Sequence, residues 1–215
     1  MAIFDDPLHD SFGAWIYGFI PYGAGSIGEL EQLATQVTKG DDGSFHDAFA
    51  AQARTLIADG DRAAADGRIH SARRAYLSAA AYLGVAYHPL FGTPVDPRLV
   101  DSFHLQVDTF STYLGLLDTP AEPLTIAYED TTLPGWFVRN QRRPHDTLPT
   151  VVVGGGWDST MVENHLAMGI AGLERDYHVV LFDGPGQGAP LIDGGLTLRH
   201  DWEKVLGPII DDLTK

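Results

Sequence analysis

Gly154, Gly155, Gly156 and Trp157 form the stretch with the clearest chemical signal in the chain. They follow the apolar, β-branched run Val151-Val152-Val153, which reads as a buried strand. Glycines after a strand carry no Cβ, so backbone N–H groups there can face open space. The N–H of Trp157 would stand near a helix start, because Thr160-Met161-Val162-Glu163 has the pattern of a capping box. Asp158 and Ser159 are further candidates for that cap. A free donor at such a place suits a developing oxyanion and equally a phosphate. The nucleotide motifs are missing. No Gly-Lys-Ser/Thr follows a glycine at Walker spacing, Gly154-Gly155-Gly156 lacks the GxGxxG interval, and Pro185 interrupts the period-two glycines Gly184, Gly186 and Gly188. Trp157 and Gly156 are therefore the candidate catalytic residues, through the backbone N–H of Trp157 rather than its indole.

Other residue types of chemical interest read as structural. Ala24-Gly25-Ser26-Ile27-Gly28 falls one residue short of GxSxG, and no strand precedes it. Ser26-Ile27-Gly28-Glu29 reads instead as a capping box, with Ser26 as N-cap. The nine histidines are scattered and form no HExxH or carboxylate–histidine cluster. Most are expected at the surface or at helix ends, with His165 half-buried, and neither a metal nor a cofactor is expected. Asp183 ends a strand and is read as a turn residue holding the following Gly-Pro-Gly-Gln-Gly by side-chain-to-backbone bonds.

The elements that would position the glycine turn are legible in the hydrophobic pattern. Residues 149–188 read as strand, helix, strand, with the second apolar run at 178–182 ending in Asp183-Gly184-Pro185-Gly186-Gln187-Gly188. Such a βαβ unit implies a parallel, buried sheet with both glycine-rich turns at the carboxyl ends of its strands. Ahead of it, 124–128 and 135–140 read as paired strands joined by a turn at 129–134. After it, Thr197 or Asp201 would begin a last helix burying Trp202, Val205, Leu206, Ile209 and Ile210. The first half is helical. Helices are expected at 26–37, 44–58, 68–87 and from Pro97 to about residue 117; 59–67 reads as a turn or a helical continuation, its glycines arguing for a break or kink. The aromatics of 10–25 either pack on this bundle or line an apolar pocket. The expected domains are a helical cap, 1–118, and a sheet-containing core, 119–215.

Composition narrows the partners. The 215 residues are 44% hydrophobic and 20% charged, an ordinary globular balance. With 29 acidic against 14 basic residues the net charge is -15, which repels nucleic acid and anionic membrane. There is no cysteine, and no apolar run has the length of a membrane span. Residues 1–10 contain Asp5, Asp6 and Asp10 but neither Lys nor Arg, unlike a signal peptide, so the expected location is cytoplasmic.

Together, Leu148-Pro149-Thr150-Val151-Val152-Val153-Gly154-Gly155-Gly156-Trp157-Asp158-Ser159-Thr160, the Asp183–Gly188 turn and Asp201-Trp202-Glu203 resemble the α/β-hydrolases with an N-terminal helical cap. That group includes 2,6-dihydroxypseudooxynicotine hydrolase, the fermentation/respiration switch protein and dipeptidyl-aminopeptidase-like esterases. Weaker likeness runs through 75–80 and 128–135. The resemblance implies a serine nucleophile on a GxSxG elbow that follows the Asp-Trp-Glu helix, an acid and a histidine later still, and an oxyanion hole using the Trp157 N–H. It also implies a cap that shapes the cavity for a small-molecule carbonyl substrate cleaved at a C–C, ester or amide bond. No GxSxG occurs in the 215 residues. The expectation is thus the N-terminal portion of a hydrolase, inactive alone, with its sheet edge to be covered by the missing half, by a second chain or by a homodimer contact. A non-catalytic small-molecule binding module and a helical interaction scaffold are the competing readings.

Overall fold

The computed structural model describes residues 2–213. The chain divides between Leu116 and Leu117 into two compact units.

The first unit is helical, and its helix starts are set by short polar side chains. Asp6 accepts the N–H groups of Leu8 and His9 and begins α1, Pro7–Gly13. After α2, Trp15–Phe19, Ser26 caps α3, Ile27–Ala34. Its hydroxyl also meets Glu29 Oε2 at 2.9 Å. Asp41 caps α4, Asp42–Ala65. α5 spans Ile69–Tyr87, and Asp96 caps α6, Pro97–Gly115, whose first residue is the proline. The aromatic segment packs into this unit through Ile16 and Phe19, both buried. α5 is its central rod, with every residue from Tyr76 to Tyr87 buried.

Of the two readings of 59–67, the helical continuation holds as far as Ala65. α4 runs through Gly60 because the missing Cβ makes room for a neighbour: a Cβ there would lie 2.8 Å from Cε1 of Tyr76 on α5. The turn falls at Gly67, in the left-handed region at φ +73°.

The second unit is a four-stranded mixed sheet in the order β1-β2-β4-β3. β1, Glu122–Tyr128, and β2, Thr131–Val138, form an antiparallel hairpin. The turn is only Glu129-Asp130, shorter than the hydrophobic pattern implies, with Glu129 at φ 48°. Pro134 lies inside β2, opposite Thr125; its carbonyl accepts the Asp183 N–H at 3.2 Å just past the end of β4, and without an N–H it cannot return the bond, so the ladder ends there. β3, Thr150–Val153, runs parallel to β4, His178–Phe182. The crossover between them comprises α7, Met161–Asn164, a π-helical turn, His165–Gly169, and α8, Ile170–Glu174. Short α9, Gly188–Ile192, and α10, Glu203–Leu213, follow.

β4 is buried on both faces, and its alternation assigns them. Val180 and Phe182 join Ile126, Tyr128, Leu133 and, from α10, Val205 and Ile209 in one core. Val179 and Leu181 face the crossover, where Gly172 and Gly169 let the helix approach closely. α10 is less buried than its periodicity implies: Trp202 is only partly covered, and Leu206 and Ile210 are 40% and 46% exposed. β3 forms one edge of the sheet.

Candidate functional site: the two glycine turns

β3 and β4 end side by side because they are parallel, and each runs directly into a glycine-rich turn. After Val153 come Gly154, Gly155 and Gly156. Gly155 has no space for a side chain: a Cβ would lie 2.1 Å from Ser159 Oγ and 2.4 Å from Asn164 Nδ2. Gly156 is open, with nothing nearer than 3.9 Å to the same position.

Trp157 follows and is 70% exposed. Among the described residues its backbone N–H meets no hydrogen-bond acceptor. The helix starts later than Trp157. Thr160 is the N-cap and forms the full capping box with Glu163, whose Oε2 takes the Thr160 N–H at 2.7 Å. Neither Asp158 nor Ser159 serves as that cap. Ser159 instead donates its hydroxyl to the Gly156 carbonyl at 3.3 Å.

The second turn, 183–188, reaches back to the first. Gln187 is 1% exposed. Its Nε2 donates to the carbonyls of Gly155 and Gly156, both at 2.7 Å, while its Oε1 accepts the N–H of Gly184 at 3.0 Å. The Gln187 N–H donates to Gly184 O at 3.0 Å, and Gly186, at φ +87°, donates to Leu196 O at 2.8 Å. Gly184 packs under Trp202, where a Cβ would lie 2.8 Å from the indole. Sequence reading missed Gln187. The available signal was a lone carboxamide among glycines and proline at a strand end.

Asp183 takes a different task from the one its position implies. Its Oδ1 accepts the N–H of Met161, the first residue of α7, at 2.7 Å rather than holding its own loop. Burial raises its carboxyl to about 8; the Met161 N–H opposes this and the charge of Glu163 adds to it.

His70, His104, His145 and His200 are exposed and His88 and His165 cap helix ends, as expected for most of the histidines. His9, His46, His88, His165 and His178 are buried. His165, expected half-buried, has no exposure, and burial lowers its imidazole to about 4. It opens the π-helical turn, where a Cβ on Gly169 would come within 3.0 Å of its Nδ1. His178 is structural: Nδ1 accepts the Asn140 N–H at 3.0 Å, and Nε2 lies 3.1 Å from Asp146 O. Among the described residues no group of three His, Asp or Glu could hold a metal, and no helix is long and apolar enough to cross a membrane. A cavity of about 520 Å³ between β1, β2 and α9 includes none of the residues 154–157.

No protein-family model matches the chain. Curated proteins do. It is 35% identical over 202 residues to 20-hydroxy-prefusarin hydrolase of Gibberella moniliformis, covering 93% of this chain and 48% of that protein. It is 36% identical over 200 residues to a protein named hydrolyase in Penicillium oxalicum, covering 90% and 47%. An alpha/beta hydrolase of Aspergillus fumigatus is 31% identical over 217 residues, covering 98% and 49%. The chain thus spans about half the length of the curated relatives it matches. The crystal structure of 2,6-dihydroxy-pseudo-oxynicotine hydrolase superposes with a TM-score of 0.75 at 23% identity, covering 93% of this chain and 53% of that one. These likenesses bear out the resemblance to α/β-hydrolases. The fold is a helical cap followed by a partial mixed sheet, an incomplete α/β-hydrolase fold.

Proposed function

We propose that this chain is the N-terminal portion of a serine-type α/β-hydrolase acting on a small-molecule carbonyl compound. In this reading residues 154–157 form half of an oxyanion hole. The observation that carries it is the Trp157 N–H, placed just past the end of β3 with no acceptor among the described residues. Such a donor is oriented before any charge develops, which is what transition-state stabilisation requires. Hydrolase names on the relatives, and a match to only half of each, support the rest. A serine from beyond residue 215 or from a second chain attacks the carbonyl, a histidine takes its proton, and the oxygen that becomes negative meets the Trp157 N–H. A further strand pairs with the edge of β3 and brings the serine to the same end of the sheet.

The test is turnover of a chromogenic ester. The 215-residue chain alone is inert, and a product whose reading frame continues past Lys215 is active and silenced by a serine-directed reagent. Turnover by the 215-residue chain itself, stopped by that reagent, would overturn the proposed source of the nucleophile.

A further inference from the structure

We propose that Gln187 is the positioning residue of the glycine turn, setting the direction of the N–H groups of Gly156 and Trp157. The inference rests on the oxyanion reading for its catalytic meaning, but not for its geometry. A trans peptide is planar, with its carbonyl and the next N–H pointing in opposite directions. Holding the Gly155 carbonyl therefore directs the Gly156 N–H, and holding the Gly156 carbonyl directs the Trp157 N–H. Gln187 Nε2 holds both, at 2.7 Å each. Glycines have the widest backbone freedom, so this turn has little other means of keeping one orientation. Ser159 adds a longer bond of 3.3 Å to one of the two carbonyls.

The carboxamide itself has one orientation. Two carbonyls face one end and an N–H faces the other, so exchanging its oxygen and nitrogen would oppose acceptor to acceptor and donor to donor. Its near-complete burial removes water as a substitute partner. Accepting a hydrogen bond at the carbonyl also polarises the peptide, which strengthens the N–H of the same unit as a donor. The second glycine turn thus braces the first, and a transition state gains from a donor that need not reorganise.

The test is made on the isotope-labelled 215-residue chain by NMR. Scalar couplings across the hydrogen bonds are expected from Gln187 Nε2 to the carbonyl carbons of Gly155 and Gly156. In Gln187→Met, residual dipolar couplings of the Gly156 and Trp157 N–H vectors change while those of Val180 and Leu181 in β4 do not. Gln187→Glu keeps the acceptor for Gly184 but loses both donors when ionised, and regains one on protonation. Its Trp157 vector is displaced at neutral pH and returns towards the parent value in acid, a response that general loosening would not give. Absent couplings in the parent chain, or unchanged vectors in the two variants, overturn the proposal. If Gln187→Met does not fold, the parent couplings and the acid response of Gln187→Glu decide it. In a product that turns over ester, Gln187→Met lowers kcat on the order of 10²-fold, as for a slightly misplaced group, at nearly unchanged KM. Displaced vectors with an unchanged kcat would uphold the brace and instead remove Trp157 from the oxyanion hole.

Discussion

The carboxyl of Asp183, just past the end of β4, accepts the N–H of Met161, the first residue of α7, at 2.7 Å. One buried acid thereby fastens the crossover helix to the strand that follows it. Burial raises that acid from 3.8 to about 8. The folded chain consequently keeps a proton that the unfolded chain has already released, and stability declines as pH rises through this interval. Asp183→Asn keeps the acceptor and cannot ionise. Denaturant unfolding of the variant should show a flatter dependence than the parent between 3.8 and about 8. Asp183→Ala leaves the Met161 N–H unpaired and should cost roughly 1–3 kcal/mol.

His165 acts in the opposite sense. Its imidazole is lowered from 6.5 to about 4 by burial alone, so the unfolded chain takes up the proton first. Its contribution to stability is present above 6.5 and is lost as pH falls through about 4. His165→Gln should lower stability near neutrality and remove part of the slope on the acid side. Calorimetric melting across the acid range checks this.

Gly155 and Gly156 should respond differently to the same substitution. Gly155→Ala drives a methyl into Ser159 Oγ and Asn164 Nδ2, and the variant should lose about 1–3 kcal/mol as an overpacked site. Gly156→Ala meets open space and should stay within about 0.5 kcal/mol of the parent. Urea midpoints of the two variants give the comparison.

If the Trp157 N–H holds the oxyanion, its side chain is dispensable and its amide is not. In a product that turns over ester, Trp157→Phe should retain activity, since the residue is 70% exposed. Trp157→Pro removes the N–H and should lower kcat on the order of 10²–10³-fold. A melting temperature near the parent's, measured alongside, separates this from unfolding.

Much of the scaffold was legible because its signals are local. Ser26 and Thr160 cap helices where their capping boxes stand. The valine run before Gly154 and the apolar run ending at Phe182 are parallel strands joined by a helix. The misreadings share one cause. Gly60 interrupts nothing because Tyr76 of another helix fills the space beside it, and Pro134 is held in β2 at the last step of the β4 ladder, where its carbonyl still accepts the Asp183 N–H. The burial of His9 and His165 likewise follows from what packs over them, which no spacing along the chain records.

By itself the sequence determined that a strand ends before Gly154 and that a capping box follows at Thr160, and so which backbone amide is left beyond β3. It placed the two turns on the same end of a sheet, since parallel neighbours finish together. Tertiary structure alone decided which way that amide points. Gln187 is separated from the carbonyls it holds by 32 and 31 residues. A hydrogen bond of 2.7 Å between such residues exists only after the crossover helix has brought β4 against β3. Short-range preferences settle which conformations each segment can adopt; the direction of a donor in a turn without side chains is settled by its partners across space.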